Sequence, residues 1–326
     1  MTKRIQFREY GGPEVMECID FMILNPSWGE VQIENKAIGV NYIDIYTRKG
    51  LYSTNLPSGL GTEAAGVVKK VGPGVDFFFP GDRVVYAQAP LGAYSSIHNV
   101  PANKLVHLPN TISFQEAAAV FLKGLTVFYL LYQTYKVKPN EVFLFHAAAG
   151  GVGYIACQWS KLLEAKMIAT VGSESKATLA KEAGAWETIN YRKEDVFERV
   201  LNLTNGSKVN VVYDSVGQKT WESSLDCLSP RGLMVSFGNS SGPVTGVNLS
   251  ILNEKGSLFV TRPSINSYIS NYASLKYAAD KLFSMIAKGL IKVDVPKEQI
   301  FPLSSVKQAH QALEARKTSK SLLLIP

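Results

Sequence analysis

The sequence predicts an α/β protein of two parts, a mostly β unit and a doubly wound parallel sheet. Three observations carry this. Through about residue 122, short apolar runs alternate with Gly- and Pro-rich turns. From about 123 the rhythm changes to strand and helix in alternation. At the head of the second part, EVFLFHAAAGGVG (141–153) joins an apolar run to a run of small residues, and YIACQWSK (154–161) then begins a helix.

In the first part the apolar runs are Val31–Ile33, Ala65–Val71, Arg83–Ala87 and Tyr94–Val100. Turns such as Gly11-Gly12-Pro13, Gly72-Pro73-Gly74 and Phe79-Pro80-Gly81-Asp82 separate them, which suits a compact, barrel-like antiparallel unit. The apolar stretch Ala117–Tyr132 carries Lys123 and Gly124. At about 16 residues it is too short to cross a bilayer and reads as a buried helix.

After the opening strand come a strand at Lys166–Val171, a helix near Glu174–Ala183, a strand at Glu187–Asn190 and a helix near Asp195–Leu203. Strands at Val209–Asp214, Gly232–Phe237 and Ser257–Val260, with a helix around Thr220–Leu228, complete about six strands with helical crossovers. The tail holds a helix near Tyr272–Lys288 and ends in the apolar Ser321–Ile325. That last strand needs burial, most simply by pairing back into the first part. The expected division is therefore 1–122 with 264–326 for one domain and 123–263 for the other.

With 326 residues, 46% hydrophobic and 19% charged, the composition is globular and long enough for about two domains. Three distant cysteines, Cys18, Cys157 and Cys227, form neither a disulfide framework nor a metal cluster, which fits a reducing, cytoplasmic compartment. No signal-peptide core is present at the N-terminus. The net charge of +7 is dispersed, with no basic run longer than Lys3–Arg4, Lys69–Lys70 or Arg192–Lys193. It suits a solvated surface and an anionic cofactor better than a nucleic-acid platform.

A strand, a small-residue turn and a helix start are the parts of a dinucleotide site. Small residues let the backbone approach a pyrophosphate, and the helix's free N–H groups and dipole attract it. Here the pattern is Ala147-x-x-Gly150-x-x-Gly153, with Ala148 where the first glycine of G-x-G-x-x-G would stand. Alone, this is equally the pattern of a tight turn that binds nothing.

The wider set of motifs is more specific. Gly39-Val40-Asn41-Tyr42-x-Asp44, Leu60-Gly61-Thr62-Glu63-x-Ala65-Gly66, Pro80-Gly81-Asp82-Arg83-Val84, Asn140 to Lys161 and Phe237-Gly238-Asn239-Ser240-Ser241-Gly242 fall in order along the chain. Across its whole length the sequence resembles the zinc-independent NADPH:quinone oxidoreductases, the zeta-crystallin-like group of the medium-chain dehydrogenase/reductase superfamily, and is closest to the bacterial ones. The resemblance implies a GroES-like catalytic domain and a Rossmann cofactor domain. Zinc-dependent relatives carry Cys and His where this sequence has Asn41 and Thr62. An amide and a hydroxyl will not hold zinc, and no two of His98, His107, His146 and His310 lie at ligand spacing. His146, ending the buried strand, reads as a packed, hydrogen-bonded residue.

Without a Lewis acid, a substrate that is already electrophilic is expected. Hydride addition to a quinone yields a stabilised hydroquinone anion, so the protein must align the rings, exclude water and offer donors to one oxygen. The resemblance places the cleft along Asn41–Tyr52, with Asn41, Asp44, Tyr46 and Tyr52 as catalytic candidates. The plainer alternative for Tyr46 and Tyr52 is half-buried packing, and Asp44 is a candidate for orienting its neighbours only. Reduction of an enone or 2-alkenal asks for the same site and is the alternative chemistry.

For the cofactor, the second strand ends in Gly172 and Ser173, without the carboxylate that selects NAD. Glu174 is near, but belongs to the first turn of the next helix, and Lys176 offers a cation for a 2′-phosphate. NADPH is the expected cofactor. At the turn Ala148, Ala149, Gly150, Gly151 and Val152 cradle the pyrophosphate. The resemblance adds Tyr191 and Arg316 beside the adenosine phosphate and Arg262 near the nicotinamide. Asn41, Tyr42, Lys123, Thr126, Ser215, Phe237, Gly238, Asn239 and Ser240 complete the set. Lys176 and Arg316 have a solvated face as their plainer reading. A homodimer is expected through the Ser257–Val260 strand edge. Nucleic-acid binding, known in some zeta-crystallins, is kept alive only by a pI of about 9.1.

Overall fold

A computed structural model describes residues 2–326. In chain order the elements begin with β1 (Lys3–Phe7), β2 (Glu17–Asp20), β3 (Glu30–Val40), α1 (Tyr42–Arg48), β4 (Ser58–Gly59), β5 (Ala64–Val71), β6 (Arg83–Tyr86), β7 (Ile97–Pro101), β8 (Leu105–His107) and α2 (Phe114–Tyr129). They continue with β9 (Val142–Phe145), α3 (Gly151–Leu162), β10 (Lys166–Val171), α4 (Glu174–Ala183), β11 (Glu187–Asn190), α5 (Val196–Leu203), β12 (Val209–Asp214), α6 (Trp221–Asp226) and β13 (Leu228–Ser236). The last are α7 (Ser250–Glu254), β14 (Phe259–Thr261), α8 (Ile265–Tyr268), α9 (Tyr272–Ala287), β15 (Ile300–Pro302), α10 (Val306–Glu314) and β16 (Leu322–Ile325).

Two compact units result. One comprises the chain up to Leu125 together with Ile269–Pro326, and the other is Thr126–Tyr268. In the first, a seven-stranded sheet runs β15-β16-β3-β5-β6-β8, with β7 also on β3, and a smaller sheet runs β2-β1-β4. Their apolar faces meet in a core that includes Ile5, Phe7, Ile33, Val40, Leu60, Val84, Tyr86, Tyr94 and Leu322. The final strand pairs antiparallel with the end of β3, Leu322 opposite Val40 and Leu324 opposite Ile38. Fully buried leucines there replace water with core, worth about 2 kcal/mol each.

The second unit is one six-stranded parallel sheet of order β11-β10-β9-β12-β13-β14. Numbered within the unit, that order is 3-2-1-4-5-6, the doubly wound arrangement whose carboxyl strand ends form the ligand edge. Leu144, Ile168, Ile189, Val212 and Met234 fill the core on one face of the sheet.

The length argument for the apolar helix does not hold. After α2 the chain continues as a π-helical turn, Leu130–Thr134, so Phe114–Thr134 makes 21 helical residues, long and apolar enough to cross a membrane. What argues against insertion is burial, since 78% of its most apolar window is covered by the protein itself. A further difference is α1, a helix where the sequence marks only a cleft-lining segment.

Candidate active site

In the second unit almost every candidate residue follows a strand's carboxyl end. The small-residue turn 148–152 follows β9, Gly172, Ser173 and Lys176 follow β10, and Tyr191 follows β11. Ser215 follows β12, Phe237–Ser240 follow β13, and Arg262 follows β14. Thr126 is the exception, lying on α2. The parallel topology therefore gathers residues more than a hundred positions apart on one edge.

At the β9 turn, Gly150 is the N-cap of α3 and no side chain caps that helix, so its first N–H groups remain available to a ligand. Ala147 holds a left-handed φ of 56°, and Gly150 N–H bonds back to its carbonyl at 3.0 Å. Only glycine fits at 153, because a Cβ would lie 2.5 Å from Ala147 O and from Ala148 Cα. A polar network braces the neighbouring strand ends. Buried Asp214 accepts Val216 N–H (2.6 Å) and Gly217 N–H (3.0 Å) on one oxygen, fixing the turn after Ser215. Its other oxygen accepts Thr220 Oγ1–H and Ser224 Oγ–H. Ser224 thus accepts from His146 Nε2, and Thr170 closes on Nδ1 at 2.9 Å. Burial first, against the Asp214 charge, lowers the His146 pKa, so the ring is neutral.

At the β10 end the nearby carboxylate, Glu174, is already engaged by other side chains. It accepts from Asn190 Nδ2 at 2.8 Å and pairs with Lys193 at 3.0 Å. Ser173 caps α4 through Lys176 N–H. Half-exposed Tyr191 places its hydroxyl against Gly172, where a Cβ would sit 2.5 Å from it. Arg262 Nη1 donates to Ser236 O (2.9 Å) and Gly238 O (3.1 Å). With the Asn239 amide oriented to donate to Gly238 O, its oxygen accepts Arg262 Nη2 at 2.9 Å. Arg262 therefore shapes the 237–240 turn. A helix start without a side-chain cap, small residues at the turn, Lys176 on α4 and a Glu174 engaged by Asn190 and Lys193 fit a 2′-phosphorylated dinucleotide.

The first unit offers a different site. Glu63, with no exposure, accepts Asn41 Nδ2 at 2.8 Å and Leu122 N–H at 2.6 Å, and stands 3.6 Å from Lys123 Nζ. Lys123 is 5% exposed and its ammonium makes no hydrogen bond among the described residues. Neither do the Thr62 hydroxyl and one Asp44 oxygen. Three orphaned buried polar atoms in one neighbourhood suit a polar ligand. Asp44 is 1% exposed. Its Oδ2 accepts Asn41 N–H and Tyr94 Oη–H, both at 2.8 Å, so it anchors the start of α1. Desolvation, only partly offset by those donors, pushes its pKa up to about 7. Tyr42, Tyr46 and Tyr52 pack in series, the first pair tilted and the second edge to face, with ring centroids 6.1 and 5.7 Å apart, and Tyr42 Oη donates to Leu313 O. Arg316, just beyond α10, also belongs to this unit.

Glu63 enters the sequence reading only inside a motif, and Arg48, Tyr94 and His310 not at all as site residues. Their partners lie up to 266 positions away, beyond any local signal.

The alcohol dehydrogenase GroES-like family matches residues 27–110 and the zinc-binding dehydrogenase family residues 151–284. Quinone oxidoreductase of Salmonella typhimurium is 62% identical over 100% of both chains. The chain belongs to the quinone oxidoreductase family. The crystal structure of Escherichia coli quinone oxidoreductase complexed with NADPH aligns over 100% of both chains with a TM-score of 0.99 and 62% identity. A Burkholderia 2-haloacrylate reductase is 41% identical over 97% of this chain and 96% of its own. The zinc in one family's description does not fit this donor set. Asn41 is an amide that donates to Glu63, and no group of three His, Cys, Asp or Glu side chains that could hold a metal ion occurs among the described residues.

Proposed function

We propose that this protein reduces quinones with NADPH by hydride transfer. The observation that carries the reading is the carboxyl edge of the parallel sheet, where a backbone cradle and a Glu174 already engaged by Asn190 and Lys193 coincide with the fold of an NADPH-bound quinone oxidoreductase. Bound there, NADPH supplies a hydride from nicotinamide C4.

The chain's own residues bind, orient and polarise. Ala148, Ala149, Gly150, Gly151 and Val152 offer backbone to the pyrophosphate. Ser173, Lys176 and Tyr191 take the adenosine phosphate. Thr126, Ser215, Phe237–Ser240 and Arg262 hold the remainder. Tyr46 and Tyr52 offer flat faces to the quinone. Asn41 and the Lys123 ammonium supply charge and donors at the oxygen that becomes negative. A buried cation, balanced by Glu63 at 3.6 Å, is worth more there than in water. The hydroquinone protons come from solvent.

Purified protein mixed with NADPH and 1,4-benzoquinone should consume the nicotinamide absorbance, and faster than with NADH. No turnover under either cofactor would sink the reading. The 2-haloacrylate reductase relative favours a second reading, reduction of an activated C=C, and kcat/KM on quinones against 2-alkenals separates the two. Nucleic-acid binding as the main role would require salt-sensitive RNA binding in a protein inert to quinones.

The edge strand β14 leaves Phe259 59% and Val260 40% exposed, which supports a homodimer joined there. Gel filtration at monomer mass would contradict it. Unpaired Cys18, exposed and free, suits a cytoplasmic enzyme.

A further inference from the structure

Four side chains of the first unit form a buried line of hydrogen bonds ending on Asp44. Arg48 Nη1 meets His310 Nδ1 at 2.9 Å, His310 Nε2 meets Tyr94 Oη at 3.1 Å, and Tyr94 Oη meets Asp44 Oδ2 at 2.8 Å. Arg48, His310 and Tyr94 are all within 1% of complete burial.

The proton positions follow from chemistry. A guanidinium can only donate, so His310 Nδ1 accepts. Burial and the Arg48 charge push the His310 pKa down to about 3, so the ring is neutral and its one proton lies on Nε2. That proton goes to Tyr94 Oη, leaving the tyrosine proton to go to Asp44. Every donor points the same way. Reversing the line would require His310 to present acceptors on both sides, an imidazolate facing a guanidinium.

We propose that Tyr94 and His310 are positioning residues for the quinone-binding segment, and that the line orients Asp44 without conducting protons. Any proton that Asp44 takes up sits on Oδ1, the oxygen with no partner. Both ends of α1 are held in this way. Asp44 ties its start through Asn41 N–H. Arg48 ties its last turn to His310, to Gly11 O and to both oxygens of Glu314 at 3.0 Å. Tyr42 and Tyr46 ride on that helix and Tyr52 follows it. The proposal rests on the assignment of Tyr46 and Tyr52 to the quinone.

The test turns on an amide. Gln carries an acceptor and a donor spaced much as the two ring nitrogens are, but it cannot relay a proton. Tyr94→Phe, His310→Leu and His310→Gln are compared for quinone kinetics, NADPH affinity by fluorescence, and hydrogen exchange of a peptide covering 41–52. Tyr94→Phe and His310→Leu should raise the quinone KM about tenfold and speed exchange in that peptide, with NADPH affinity within about twofold of wild type. His310→Gln should stay within about threefold of wild type in all three. A His310→Gln enzyme as impaired in kcat as His310→Leu, with exchange unchanged, would make the line a proton path and overturn the proposal. So would a Tyr94→Phe enzyme indistinguishable from wild type. Should His310→Leu fail to fold, Tyr94→Phe and His310→Gln still decide. Should wild type not turn over quinones, the functional reading fails, while hydrogen exchange still reports whether the line orders α1.

Discussion

Around the β9 and β10 ends the groups offered to a ligand are mostly backbone N–H groups and space left by small residues. Around α1 and Glu63 they are ionisable side chains buried against one another. A backbone cradle fails when something fills it, so it should be sensitive to a single methyl group and indifferent to pH. A buried charge cluster fails when one member loses its counterpart, so it should respond to pH and to isosteric changes that add no volume. The contrast also divides labour. On the proposed assignment, a cofactor shared by many enzymes meets the least chemically committed surface, and the quinone meets one whose charges are set by particular pairs.

The largest expected effect is on the side-chain cluster. Burial carries Asp44 from an ordinary 3.8 up to about 7, with Glu63 as a second carboxylate nearby, and Tyr94, Asn41 N–H and Lys123 opposing the shift. A carboxyl whose folded pKa is raised contributes stability that is complete below about pH 4 and lost as pH rises through about 7. Asp44→Asn mimics the protonated acid without titrating. Between pH 4 and 8, urea denaturation should show wild type losing up to about 4 kcal/mol more than the variant. Parallel curves would show that Asp44 does not titrate as its burial implies.

Glu63→Gln comes next. It keeps the shape and an acceptor for Leu122 N–H, but leaves the Lys123 ammonium buried without its counter-charge. A loss of about 3 kcal/mol is expected in the same experiment, together with weakened quinone turnover. A loss below about 1 kcal/mol would mean that Lys123 finds its compensation elsewhere.

Gly153→Ala breaks the opposite side of the comparison. Both atoms 2.5 Å from the new methyl group are backbone, so the turn itself must move. NADPH affinity should fall roughly a hundredfold, about 2.7 kcal/mol, in a fluorescence titration that is flat between pH 6 and 8. A pH-dependent loss would blur the distinction between the two regions.

The same contrast explains what could be read from the chain alone. The cradle is local: strand, small residues and helix lie within EVFLFHAAAGGVG and the residues after it, and the parallel order follows from strands and helices in alternation. The helix α1 is not local. Ile43, Ile45 and Thr47 are β-branched at every second position, a pattern that favours a strand, and tertiary contacts through Asp44 and Arg48 override it. Lys123 carries no sequence mark of its partner 60 residues earlier, and His310 none of Tyr94. Burial and pairing across the fold decide those roles, so they became visible only once the sheets were assembled.

The smallest effect concerns a charged side chain beside the cradle. At the β10 end, Ser173 caps α4 and Glu174 is held by Asn190 and Lys193, so on the proposed assignment Lys176 is the cation that distinguishes NADPH from NADH. A charge-assisted hydrogen bond at an exposed phosphate is worth about 1.5 kcal/mol. Lys176→Met should therefore weaken NADPH about tenfold while NADH is unchanged, measured as parallel KM values at fixed quinone. Raising salt should shrink the difference between wild type and variant, because the contact is exposed and screened. An equal loss for both cofactors would move Lys176 from the 2′-phosphate to the pyrophosphate. The second unit would then read NADPH by shape alone, without any cation of its own choosing.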